Sequence, residues 1–477
     1  MASYKLSRYN HFLAYPEGNQ YLLYNAVSNG LARLEPDVFQ RLRGGQRGLD
    51  QIVEEHAGNG LVDKLRSGHM IVDGEFDEVA FLQTKLNISR FGSRVLSLTI
   101  VPTLHCNLDC VYCYEGAKIG KYMDAPTEDA LVDFVRRNLD AAYRGISVSW
   151  FGGEPLMNAE GVFSLSRRLI KLCKEKNASY TATIVTNGTR LTKEVARKLK
   201  TAQVQNIQVT IDGPKAVHDV RRPYKTDVPQ AGKSSFQRIV DNLDRVLGIV
   251  PITIRINVDK TNQAESLLLV EWMQARGWLK PEKKCAFYIG YTRVWTSVCS
   301  KVAGQCFTMD EFSRAELEFQ KELLARGFTL GNLYPSPTGY CAAASPAGLV
   351  IDPGGELYKC WADVGNKDAY IGNVREPMEL SRELLAWLSY EPLQQFPECR
   401  ACKFFPICAS GCPYVAIKQQ QHSNRAYNCT PWKALMRKKM DLFVRQLAAV
   451  DGSSAAAPTA ESSANPFPEE VGHAVGS

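Results

Sequence analysis

No run of about 18 apolar residues occurs in this chain, so no membrane-spanning helix is expected. The N-terminus also lacks the apolar core of a secretory signal, which points to a cytoplasmic protein. A dense Lys/Arg block is missing too. The 57 basic and 50 acidic side chains leave a net charge of +7 spread along the chain, which gives no footing for nucleic acid. Cysteine, by contrast, is plentiful. Fourteen cysteines without an export signal argue against a disulfide framework and for metal or redox use. A length of 477 residues is too great for one core and suggests two to four domains.

The most informative cysteines are Cys106, Cys110 and Cys113, in the run Cys-Asn-Leu-Asp-Cys-Val-Tyr-Cys-Tyr just after an apolar strand. The spacing CxxxCxxC puts three thiolates on one short loop. A closed structural zinc site takes four protein ligands. Three thiolates with no local fourth ligand leave one coordination position open, and an open iron of a four-iron cluster can bind and activate a small molecule. A zinc or redox loop is the plainer alternative. The loop resembles the signature of the radical S-adenosylmethionine (SAM) enzymes, with Tyr112 in the aromatic place before the third cysteine, which makes it a cofactor-binding candidate. The resemblance implies that the open iron chelates the amino and carboxylate groups of SAM. One-electron reduction would then cleave SAM to methionine and a 5′-deoxyadenosyl radical. On this reading the cofactors carry the chemistry, while the protein binds, orients and shields.

From Val95 onward strand and helix patterns alternate. Strands are expected at Val95–Pro102, Ile146–Phe151, Tyr180–Val185, Ile207–Ile211, Ile252–Val258 and Ala286–Tyr291. Helices are expected at Thr127–Tyr143, Glu160–Lys176, Gln263–Arg276 and Met309–Arg326. Six strand–helix units predict an α/β fold with a parallel sheet and right-handed crossovers. Residues at the C-terminal ends of such strands line the active sites of β/α barrels. The resemblance names the fold as a partial (β/α)6 barrel of TIM type.

The strand ends carry the expected SAM site. Gly152-Gly153-Glu154-Pro155 follows the second barrel strand; the glycines permit close backbone approach and Glu154 accepts hydrogen bonds from an ammonium group. In the resembled family this motif holds the SAM amino group. Thr186 and Asn187 end the third strand, Asp212 the fourth, and Asn257 lies near the end of the fifth; the resemblance makes them SAM-pocket or substrate residues. Asn-Gly and Asp-Gly also favour turns for their own sake. In His218-Asp219-Val220-Arg221-Arg222-Pro223, similar to a His-Asp-x-x-Arg run of that family, Arg221 or Arg222 can pair with a carboxylate. Arg221 is taken as the cofactor-binding candidate, with a surface ion pair as the alternative.

A second cysteine system follows. Cys341 and Cys360 bracket Gly355; then come Cys399, Cys402, Cys408, Cys412 and Cys429. A zinc ribbon is the rival, because Cys399-x2-Cys402 fits a zinc knuckle. All seven positions resemble the SPASM domain, which implies two auxiliary iron–sulfur clusters. The resemblance assigns Cys399, Cys402, Cys408 and Cys429 to an outer cluster, and Cys341, Cys360 and Cys412 to an inner one. The inner set is one ligand short, and Cys306, Cys299 and Cys285 are the nearest upstream cysteines. With the SAM-binding one, three [4Fe–4S] clusters are implied. Cys173 looks helical and apolar-flanked, a core residue.

The first 92 residues read as three strands, with turns at Pro16-Glu17-Gly18-Asn19 and Asn29-Gly30, and then three helices at Asp37–Leu42, Leu49–His56 and Gly60–Ser67. This winged-helix-like α+β module resembles the peptide-recognition modules of peptide-modifying radical SAM enzymes, where a leader peptide adds to the sheet edge. A stabilising extension is the alternative. Winged helices also bind DNA, but Arg33, Arg41, Arg43 and Arg47 are balanced by Glu35, Asp37, Asp50, Glu54 and Glu55.

The expected domains are therefore a recognition module (1–92), the radical SAM barrel (93–330), the cysteine-rich SPASM domain (331–445) and a disordered tail (446–477), whose Ser/Ala/Pro/Glu composition cannot bury a core. Together these parts resemble a maturase of ribosomally synthesised peptides. It would form a thioether or carbon–carbon crosslink or excise part of the backbone, taking electrons from a flavodoxin- or ferredoxin-type donor. Oxidation of a sulfatase Ser or Cys is a related alternative. A non-catalytic iron–sulfur protein is the alternative of a different class, and Gly152-Gly153-Glu154 argues against it.

Overall fold

The computed structural model describes residues 3–15, 19–56, 60–115, 121–331, 333–418 and 429–451. Residues 16–18 of the expected turn and 452–477 of the expected tail lie outside them, whereas residues 446–451, also expected in the tail, end the helix Trp432–Asp451. Two compact units divide the chain. One comprises Met1–Gly92, Leu317–Cys341 and Tyr390–Ser477, the other Ser93–Glu316 and Ala342–Ser389.

In the first unit, β1 (Tyr4–Leu6) opens the chain, followed by β2 (Asn10–Tyr15), β3 (Gln20–Asn25), β4 (Leu31–Arg33) and, further on, β5 (Ile71–Asp73). Strands β2, β3 and β4 form an antiparallel sheet, in that order, and β1 pairs with β5. Alternation along the strands splits the side chains between two cores. Leu23 faces Phe39, Leu42, Leu49 and Ile52 from the helices Pro36–Arg43 and Gln46–Glu55. Leu13, Leu22 and Tyr24 face Leu82 and Leu86 of the helix Glu78–Phe91, with Leu393, Phe405, Ile407 and Met440 from the C-terminal segment. Asp77 starts that helix by accepting from the backbone amides of Val79 and Ala80.

The second unit is built on β6 (Val95–Ile100), β7 (Gly145–Trp150), β8 (Ser179–Thr186), β9 (Val204–Thr210), β10 (Ile252–Val258) and β11 (Cys285–Tyr291). All five successive pairings are parallel. The connecting helices start where side chains cap them: Asp124 before Ala125–Ala141, Thr192 before Lys193–Thr201 and Ser234 before Ser235–Val246. All six expected barrel strands are present, with bounds shifted by up to three residues. Beyond β6 the sheet continues through β12 (Gly348–Ile351), parallel to β6, then β13 (Glu356–Tyr358) and β14 (Gly372–Asn373), both antiparallel. The first part of the cysteine-rich segment thus belongs to this unit. Among the described residues, no helix is long and apolar enough to cross a membrane.

Candidate active site at the strand ends

The cysteine loop leaves the C-terminal end of β6 and is held from two sides. On one side lie the two glycines after β7. Gly152 has φ +116°, and a Cβ on it would come within 2.5 Å of Val101 Cγ1 and 2.7 Å of the Thr103 carbonyl oxygen. A Cβ on Gly153 would come within 2.2 Å of the His105 carbonyl oxygen. The Glu154 amide donates to that same oxygen at 2.7 Å. The close approach these glycines permit is therefore to the chain's own segment 103–105, which leads into Cys106.

On the other side, residues 221–225 run antiparallel to the loop. Val111 N donates to Arg221 O at 3.0 Å, Asp109 N to Pro223 O at 2.8 Å and Lys225 N to Asn107 O at 3.0 Å. Leu108 and Tyr224 form an antiparallel bridge. Cys106, Cys110 and Cys113 are all half-buried. Burial pushes the Cys110 thiol up to about 12, and the neighbouring Cys106 and Cys113 add to the shift against Arg222. Asn187 Nδ2 lies 3.8 Å from Cys106 Sγ.

Glu154 is fully buried. Its carboxylate accepts from Leu156 N at 2.9 Å, Thr186 Oγ1 at 2.7 Å and Asn187 N at 2.6 Å. A carboxylate offers about four acceptor positions, so the side chain chiefly braces the ends of β7 and β8. Burial raises its pKa and these hydrogen bonds oppose the rise. Asn187 extends the brace to the loop, donating to Asn107 Oδ1 at 2.9 Å.

Tyr112, expected to bind the cofactor, is the hub of a hydrogen-bond network among the chain's own side chains. Its hydroxyl donates to Asp212 Oδ2 at 2.6 Å and accepts from Arg222 Nη1 at 2.7 Å and Asn257 Nδ2 at 3.0 Å. Arg221 donates to Asp259 Oδ2 at 2.6 Å and to Asp212 Oδ2 at 3.3 Å. Its guanidinium thus answers two of the chain's own carboxylates, in the interior and not at the surface. Sequence reasoning missed Asn107, Asp259, Thr189 and Asn262, whose roles come from pairings distant in sequence. Asn262, for example, donates to the Asp212 carbonyl at 2.7 Å.

Tyr114, next to Cys113, packs its ring 4.6 Å from that of Trp361, which follows Cys360. In the first unit, burial pushes the Cys408 thiol up to about 11, with Cys429 and Cys399 adding to the rise. Cys341, Cys402 and Cys412 belong to the same unit, whereas Cys360, Cys285, Cys299 and Cys306 belong to the second. Cys173 is buried in the helix Ala159–Glu175, as expected.

Among the described residues, no three His, Cys, Asp or Glu side chains converge where a single metal ion would sit. A four-iron cluster presents separate corners, so its thiolates need not converge on one point. Three thiols gathered on one short loop suit such a centre, because a bound metal deprotonates a coordinating thiol outright. The loop fits a [4Fe–4S] cluster on that ground.

Residues 100–268 match the Radical SAM superfamily. An uncharacterized protein of Methanocaldococcus jannaschii is 29% identical over 192 residues, spanning 39% of this chain and 64% of that protein. The mycofactocin maturase MftC of Mycolicibacterium smegmatis is 26% identical over 350 residues, 66% of this chain and 78% of its own. The serine-type anaerobic sulfatase-maturating enzyme of Klebsiella aerogenes is 23% identical over 340 residues, 65% and 77% of the two chains. The solved structure of native anSMEcpe with bound AdoMet shares the fold at 18% identity and TM-score 0.54, covering 76% of this chain and all of that one.

Proposed function

With a radical SAM domain at residues 100–268 as the premise, we propose that this enzyme post-translationally modifies a ribosomally made peptide. A [4Fe–4S] cluster with SAM would supply one-electron cleavage and a hydrogen-abstracting 5′-deoxyadenosyl radical. Cys106, Cys110 and Cys113 would hold that cluster, and Thr186, Asn187, Asp212 and Asn257 would line the SAM pocket. Glu154 and Tyr112 would fix the loop against the strand ends, so that the cofactors meet at one place.

The observation that carries the reading is the bracing of the cysteine loop by Glu154, Asn187 and Tyr112 at the C-terminal ends of the parallel strands, where β/α barrels place their chemistry. A peptide substrate is supported by the similarity to MftC, named a maturase. It is supported further by β4, which among the described residues pairs with β3 alone and leaves an edge for strand addition. That would be the place for a leader peptide. Cys399, Cys402, Cys408 and Cys429 would hold an outer auxiliary cluster, and Cys341, Cys360 and Cys412 an inner one. These would accept the electron left after bond formation, with a flavodoxin- or ferredoxin-type donor reducing the first cluster.

A second reading is favoured by the similarity to sulfatase-maturating enzymes of both serine and cysteine type. There the product would be an aldehyde made by oxidising one side chain. Mass spectrometry of a candidate peptide after turnover separates the two. We expect loss of two hydrogens, with no product captured by a hydrazide. Hydrazide capture selects the sulfatase-type oxidation, a larger loss selects backbone excision, and an unchanged mass across both peptide classes contradicts the proposal.

A further inference from the structure

Cys110 faces Arg222. The hydrogen bonds Asp109 N to Pro223 O and Val111 N to Arg221 O flank this pair, and the Leu108–Tyr224 bridge fixes the same antiparallel register. The ladder bonds fall on the pairs Asp109–Pro223 and Val111–Arg221, so the Cys110–Arg222 pair between them is of the non-hydrogen-bonded kind. In such pairs the side chains stand closest. Cross-strand neighbours at this spacing interact directly.

Arg222 is a buried charge that touches no carboxylate directly. It is 6% exposed. Its Nη1 donates to the Tyr112 hydroxyl at 2.7 Å, while its Nε is buried with no hydrogen-bond partner. Among the described residues it forms no ion pair, whereas its neighbour Arg221 has Asp212 and Asp259. Asp212 reaches Arg222 only through the Tyr112 hydroxyl, so a negative group closer to the guanidinium stabilises it further. The group across the register is a thiol that becomes a thiolate when it binds iron.

We propose that Arg222 is a positioning residue that sets the charge at the cluster held by Cys106, Cys110 and Cys113, stabilising the reduced cluster and so raising its reduction potential. One electron enters the cluster from an external one-electron donor, and the nearby fixed cation favours the added negative charge. Tyr112, held by Asp212 and Asn257, keeps the guanidinium in place. Net charge and hydrogen bonding around a cluster are established determinants of its potential. The inference rests on the cluster assignment above and is independent of what the substrate is.

The test is an EPR-monitored redox titration of the full reconstituted chain, of Arg222→Gln and of Arg222→Lys. The signal followed is the one lost when Cys106, Cys110 and Cys113 are all changed to Ala. Arg222→Gln is expected to move the midpoint to more negative potential. The reduced-to-oxidised ratio at a fixed poise falls at least about tenfold, the effect of one charge at about 12 Å when the effective dielectric is about 20. Arg222→Lys restores most of it. An unchanged midpoint in Arg222→Gln overturns the inference and leaves the cluster assignment standing. If Arg222→Gln holds no cluster, retention of the cluster by Arg222→Lys supports the role of charge, and its loss there overturns it. If no iron–sulfur signal depends on the three cysteines, the cluster assignment falls and the inference with it.

Discussion

At the scale of single residues, the site is made of polar groups taken out of water and answered one by one. His218 shows the consequence. It is fully buried, and its Nδ1 accepts from the Asp212 amide at 3.2 Å, so the ring must be neutral. Burial lowers its pKa to about 3, with Arg222 adding to the shift. The folded pKa lies below the unfolded one. The stability tied to His218 is therefore complete above the unfolded value of about 6.5 and is lost as pH falls from there towards 3. Between pH 7.5 and 5.5 it should cost about 1.4 kcal/mol. Denaturant unfolding at those two pH values checks this: His218→Gln should reduce the pH-dependent loss by about that amount. His11 in the first unit, lowered to about 4 by burial with Lys403 adding to the shift, contributes a loss of the same sign that the substitution leaves in place.

At the scale of elements, what could be read in advance was what is written locally. Apolar runs followed by helical periodicity gave the six parallel strands, and the spacing of three cysteines gave the loop. The pairing of β1 with β5 was not legible, because two three-residue strands carry too little pattern. The ladder between residues 107–111 and 221–225 was not legible either, since it joins segments far apart in sequence. Nor could two adjacent arginines of identical chemistry be told apart: only the fold commits Arg221 to Asp212 and Asp259 and leaves Arg222 facing Cys110. The helix Glu78–Phe91 has a similar hidden anchor. The side chain of Arg90 is wholly buried; Nη1 donates to Glu391 Oε1 at 2.7 Å and to the Tyr390 carbonyl at 2.8 Å. Glu391 also accepts from Gln83 at 2.6 Å. Removing one partner of a buried ion pair leaves the other uncompensated, so Glu391→Ala should cost about 3 kcal/mol. Equilibrium unfolding should register that loss, and a change below about 0.5 kcal/mol, typical of surface substitutions, would contradict it.

At the scale of the whole molecule, the proposal is that ten of the fourteen cysteines hold iron, that Cys173 packs the core, and that SAM is cleaved at the three-cysteine loop. The most direct measurement is iron content and 5′-deoxyadenosine formation on anaerobically reconstituted protein, with and without Cys106, Cys110 and Cys113 changed together to Ala. Three four-iron clusters predict roughly 12 iron per chain, falling to roughly 8 in the variant, with 5′-deoxyadenosine formed by the unaltered protein alone. Roughly 4 iron, all lost in the variant, would contradict the auxiliary clusters; 5′-deoxyadenosine formed by the variant would contradict the site itself.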